Sequence, residues 1–193
     1  MNRKTINRLA SGLAVASMLL LSACQSTGGN AFSGSSTYEI NRDAKTALDK
    51  LYDGTPQARQ LASRAKAVLV FPSIVKAGFL FGAQYGSTGA LIKDGRTVGY
   101  YNTVAASYGL QAGVQSFGYA LFFMSDSALK YLDKSEGWEV GVGPSIVVID
   151  AGAAKSLTTT TAKDDVYAFI FDQKGLMAGL GLQGSKITKI NPK

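Results

Sequence analysis

The chain has no histidine and a single cysteine, Cys24, among its 193 residues. Glutamate is nearly as scarce, with only Glu39, Glu136 and Glu139. These absences exclude Ser-His and Cys-His nucleophile pairs. They also exclude zinc, haem and iron–sulfur centres held by His or Cys. No disulfide can form within one chain, so the core must hold by packing. A carboxylate pair enclosed in a cleft is the chemistry left to an enzyme, and the acids are scattered. The expectation is a protein that is not an enzyme, with no metal, no cofactor and no nucleic-acid partner. Acids are also missing locally. From Gly54 to Lys93 there are five cations (Arg59, Arg64, Lys66, Lys76 and Lys93) and no Asp or Glu. A one-signed segment points to an anionic partner or to a solvated face.

The N-terminus reads as an address. Arg3, Lys4 and Arg8 form a basic stretch, and Leu13 to Leu21 is an apolar run too short for a membrane span. It ends in Leu21-Ser22-Ala23-Cys24, which resembles the bacterial lipobox. The small residues admit the chain to the signal peptidase, and the thiol accepts the diacylglycerol. Residues 1–23 are thus expected to be a signal peptide and Cys24 the acylated first mature residue. An ordinary secretory signal with an incidental cysteine is the plainer alternative. Gln25 follows the cysteine where an aspartate would favour inner-membrane retention. The resemblance therefore implies a lipid anchor in the outer membrane, with the domain facing the periplasm. Residues 24–37, rich in Gly, Ser and Thr, read as a flexible tether. Loss of the three leader cations lowers the formal charge from +7 to +4.

The rest, 38–193, is long enough for one domain with a core of its own. Ile40, Ala44, Ala47, Leu48 and Leu51 recur at helical spacing, closed by Gly54. Thr55-Pro56 opens a second helix carrying Ala58, Leu61, Ala62 and Ala65. The most apolar stretch follows at Ala67 to Gly86. Pro72 and the glycines at 78, 82 and 86 argue against a membrane helix there, and its β-branched and aromatic residues favour strands. The pattern predicts a short strand at 67–71, a turn near Pro72 and a strand at 77–85. Asp94-Gly95 between 88–93 and 96–103 is a hairpin signal. Strands at 104–115 and 118–124 precede a helix capped by Ser125-Asp126 that ends near Gly137. Beyond it lie strands at 140–142, 146–149, 166–171, 176–182 and 186–190, with a loop or an exposed hairpin at 150–163. Glycines at i, i+4 on shared strand faces point to a curved sheet. The fold class is α+β: an N-terminal helical pair packed on a Gly-rich, strongly curved or barrel-like antiparallel sheet, with one further helix near 125–135.

Four blocks in order carry a family resemblance: AKAVLVFPSIVKAGFLFGAQYG, YGLQAGVQSFGYALFFMSDSALKYL, VGVGPSIVVIDAGA and VYAFIFDQKGLMAGLGLQGSKI. Together they resemble the SYLF domain of lipid-binding adaptors, actin-patch proteins and bacterial lipoproteins, over roughly 40–193. The resemblance implies phospholipid binding through basic residues near the start of the domain, here Arg59, Arg64, Lys66 and Lys76. Val98-Gly-Tyr-Tyr-Asn-Thr stands where eukaryotic members carry a Trp- and Pro-containing segment, so only anionic phospholipid affinity carries over. The expected function is a lipid-anchored envelope protein whose domain binds anionic phospholipid membranes. The alternative is a structural or assembly protein of the outer membrane that holds an envelope protein partner.

Overall fold

The computed structural model describes residues 36–86, 88–134, 138–139, 144–149 and 164–192. The leader, Cys24 and nearly all of the tether lie outside these residues, as do the expected strand at 140–142 and the loop or hairpin at 150–163.

Helix α1 spans Thr37–Gly54 and buries Ile40, Ala44, Ala47, Leu48 and Leu51, the stripe read from the sequence. Its start is a capping box. Ser36 accepts from the Glu39 backbone N–H at 3.3 Å, and the Glu39 carboxylate accepts from the Ser36 N–H at 3.0 Å. The helix runs through Gly54, and Thr55 closes it by donating its N–H to the Leu51 carbonyl at 2.8 Å. Helix α2, Pro56–Ala62, follows at once. The Thr55 side chain makes no cap bond there, contrary to the sequence expectation; Pro56, in the first turn, has no N–H to satisfy. Helix α3, Asp126–Lys134, is capped as expected, by Ser125 Oγ accepting from the Ala128 N–H at 3.2 Å.

Among the described residues six strands form one sheet: β1 (Ala67–Gly86), β2 (Gly89–Lys93), β3 (Arg96–Phe123), β4 (Trp138–Glu139), β5 (Ile146–Ile149) and β6 (Val166–Ile190). Where the sequence pattern predicts breaks, the long strands are continuous but bent. Pro72 and Ser73 form an irregularity in the β1–β3 ladder, between the Phe71–Tyr119 and Ile74–Phe117 pairs. Asp172 and Gln173 do the same on the other side of β3, opposite Phe117, with Asp172 at φ 50°. The two bulges sit at one level and turn all three strands together. A bulge also tolerates proline, because the missing donor leaves no ladder partner wanting.

The bend brings β1 back onto itself. Its first part pairs with β2, Val68 opposite Ile92 and Val70 opposite Ala90, although β2 begins just after β1 ends. A Cβ on Gly86 would lie 2.5 Å from Thr103 Cγ2 and 3.4 Å from Ile74 of the same strand. The first half of β3 pairs with β2, the end of β1 and the last part of β6, its second half with the earlier part of β1 and the first part of β6. The strands thereby run part of the way round a ring, ending in the short strands β4 and β5. All pairings are antiparallel except β5 with β6, so the sheet is mixed rather than purely antiparallel.

Alternate residues feed two cores. Val68, Val70, Ala120, Phe122, Tyr167 and Phe169 face the stripes of α1 and α2. Leu69, Phe71, Leu121, Phe123, Val166 and Ala168 face the other way and meet Leu91, Tyr101, Ile187 and the Ala128 and Leu132 side chains of α3. Both faces of these strands are buried, hence the continuous apolar runs in the sequence.

Candidate membrane-binding groove

An open groove of about 810 Å³ lies between α1, the turn after α2 and the β2–β3 hairpin. The hairpin tip is Asp94-Gly95, with φ 50° and 73°. Positive φ at both central residues is what a two-residue hairpin turn requires, and Asp-Gly supplies it. Lys93 pairs with Arg96 directly across the turn, so Arg96 projects beside the groove. Asn41 on α1 fixes the hairpin against the helix. Its Oδ1 accepts from Thr97 Oγ1 at 2.8 Å and from the Tyr100 hydroxyl at 3.3 Å.

The groove is amphipathic. Leu48, Val68 and Ile92 line it with apolar surface, and Tyr52 and Tyr100 add aromatic walls. Three cations from three separate places border it: Lys45 on α1, Lys66 before β1 and Arg96 on β3. Asp49 and Asp94 also line it, and Asp49 is engaged by Lys45 at 2.9 Å. Lys66 is held in position by its backbone, which donates to the Phe123 carbonyl at 2.7 Å. Its ammonium lies 3.9 Å from Asp126. Burial raises the Tyr52 hydroxyl above its ordinary pKa, against the opposing pull of Arg59.

The four basic residues singled out from the sequence are only partly brought together. Arg59 is exposed on α2, 3.2 Å from Asp53 and 5.3 Å above the Tyr52 ring. Arg64 is exposed in the turn after α2, where its N–H donates to the Leu61 carbonyl at 3.0 Å. Lys66 enters the groove itself. Lys76 lies beyond the Pro72 bulge and shares a strand face with the fully buried Ile74; it is half-buried and away from the other three. Lys45 and Arg96 were not singled out. Lys45 stands four residues before Asp49 and reads as an ordinary helix-face pair. Arg96 lies outside the acid-free segment, beyond Asp94. Only the hairpin's contact with α1 brings them to Lys66.

Residues 104–192 match the family model Ysc84, described as Las17-binding protein actin regulator. Over these residues the chain is similar to the SYLF domain family. The matched segment covers most of β3, α3 and all of β4 to β6. The helical pair and the groove's Lys45 and Lys66 precede it. No curated protein matches the chain. No metal-holding group of acids is present among the described residues.

Proposed function

We propose that this SYLF-like protein is a lipid-anchored component of the bacterial envelope whose domain binds anionic phospholipid surfaces without catalysis. One observation carries the reading: Lys45, Lys66 and Arg96 border a single open groove with an apolar floor. That combination suits an anionic headgroup with the start of its acyl chains. Arg59 and Arg64 lie on the adjoining turn and helix and extend the basic surface. Each Lys or Arg near an anionic bilayer contributes about 1 kcal/mol, and the attraction fades over a Debye length. Three such residues give weak, salt-sensitive binding. The anchor at Cys24 supplies permanence, because several acyl chains hold where one is marginal.

The test is co-sedimentation of residues 35–193 with vesicles. Binding to vesicles containing phosphatidylglycerol or cardiolipin is expected, with little to neutral ones and a steep fall with salt. Charge reversal of Arg59, Arg64 and Lys66 together should abolish binding and leave the melting temperature nearly unchanged. Equal binding to neutral vesicles would favour the alternative, an assembly protein acting through protein contacts. Anchoring is tested separately: Cys24→Ser should lose metabolic labelling by a fatty acid, and equal labelling of both proteins would refute the anchor.

A further inference from the structure

Beyond the bulges at Pro72–Ser73 and Asp172–Gln173, β1, β3 and β6 continue as a three-stranded arm that bends and returns. The β1–β3 ladder is irregular between Phe79 and Phe81, and by Tyr85–Val104 the strands have come back to the body. Among the described side chains of this arm, large apolar ones face outward. Val75, Val114 (60 % exposed) and Leu176 (88 %) face solvent on the outgoing half, and Tyr85 and Val104 do so on the returning half. On the returning half the polar Gln84 (8 %) and Thr103 (2 %) are buried beside them, together with Ala105; Ile74 is buried at the base of the outgoing half. On the outgoing half Ala77, Val114 and Leu176 are cross-strand neighbours, and on the returning half Tyr85 and Val104 are. In β6 the uncharged stretch 175–185 is bracketed by Lys174 and Lys186, both exposed. Lys174 pairs with Val75's neighbour Ser116, and Lys186 with Val104, so the two lysines stand at the base of the two halves. Asp172, also at the base, is shared by Lys174 and Lys50, each at 3.4 Å.

An exposed apolar patch on a soluble surface marks an interaction site. Apolar-out and polar-in alternation along strands is the pattern that hydrocarbon selects, with lysines reaching back to the phosphates. We propose that this arm is a membrane wedge. Val75, Val114, Leu176, Tyr85 and Val104 enter the headgroup and upper acyl region, and Lys174 and Lys186 lie at the phosphate level. From Val75 to the irregularity after Phe79 is roughly 13 Å of strand, well short of the ~30 Å hydrocarbon core. The arm therefore inserts into one leaflet and does not span. The inference rests on the membrane-binding reading but not on the groove, which opens at the Ala67 end of β1.

The test uses the full chain with Cys24→Ser, so that one introduced cysteine takes an environment-sensitive fluorophore. Leu176→Cys reports on the arm and Lys130→Cys, exposed on α3 and outside the groove, on the body. Both are mixed with phosphatidylglycerol vesicles carrying brominated acyl chains, and flotation is measured alongside. The label at 176 is expected to be quenched several-fold more than the label at 130. Flotation with equal, weak quenching at both positions overturns the wedge and leaves membrane binding intact. Absence of flotation overturns both. Protection of the 176 label without lipid, rising with protein concentration, means that the arm pairs with a second copy and overturns the wedge. In the same background, Val114→Asp with Leu176→Asp should weaken vesicle partition about tenfold, because a buried leucine alone is worth that much. Their exposure predicts an unchanged melting temperature; unchanged partition would overturn the proposal.

Discussion

Among the described residues two hold left-handed backbone without being glycine, and both shape the sheet. Asp94 makes the hairpin turn with Gly95, and Asp172 makes the β6 bulge. Nothing lies within 4 Å of a Cβ at Gly95, so a substitution there acts on the backbone alone. Gly95→Val is expected to cost about 1–2 kcal/mol, and thermal melts should place it below Lys93→Val. Asp172 has a pH signature. Burial raises its pKa, but hydrogen bonds from Lys50 and Lys174 outweigh this, and the folded value falls below the ordinary 3.8. A lowered folded pKa stabilises above the unfolded value and is lost as pH falls through the folded one. Asp172→Asn keeps a residue that tolerates positive φ. It should therefore lower the melting temperature at pH 7 and make little difference near pH 2; an equal deficit at both would mean the charge is idle. The Asp-Gly turn was legible because the dipeptide names its own conformation. The Asp172 bulge was not: only the register against Phe117 calls for the extra residue.

Among elements, α1 was read almost to its ends from its apolar stripe. The capping box adds a correction, since Ser36 precedes the domain start at 38 inferred from periodicity. Ser36→Ala should cost about 1 kcal/mol, and a chain beginning at Tyr38 should melt below one beginning at Ser35. Equal melts would mean that the cap is frayed in solution. Among the described residues the long strands lie where the pattern put them but were divided too often, and the short strand Trp138–Glu139 was not foreseen. Pro72 and Lys174-Gly175 look like turns in a linear pattern, because local chemistry marks a chain reversal and a bulge with the same residues. The ladder on both sides of β3 decides between them, and it continues past both sites.

At the scale of the molecule, α3 is tied to the ring by a polar contact. The Tyr101 hydroxyl and the Lys189 ammonium both donate to Asp133 Oδ1, at 3.1 and 3.2 Å. Burial first, and then Asp133, raise the Tyr101 pKa. Tyr101→Phe keeps the ring and removes the bond, for an expected loss of about 1 kcal/mol in denaturant melts. No loss would show that α3 is held by Ala128 and Leu132 alone. The basic surface has a similar lesson. Charge counted along the chain grouped Lys76 with Arg59, Arg64 and Lys66, but the Pro72 bend carries it into the arm. The hairpin brings in Arg96 from outside the acid-free segment.

The absence of histidine, the lone cysteine, the helical stripes and the Asp-Gly turn are local properties, and they determined the α+β class and the chemistry that is excluded. Periodicity and turn preference act over a few residues, so they reach this far. The bent ring, the mixed sheet, the composition of the groove and the outward-facing apolar residues of the arm depend on partners far apart in the chain. Lys45, Lys66 and Arg96 share no local pattern. Val114 and Leu176 look like core residues until the fold carries them past the reach of either core. Only the tertiary pairing of β1, β3 and β6 decides which apolar residues are covered and which are left facing out.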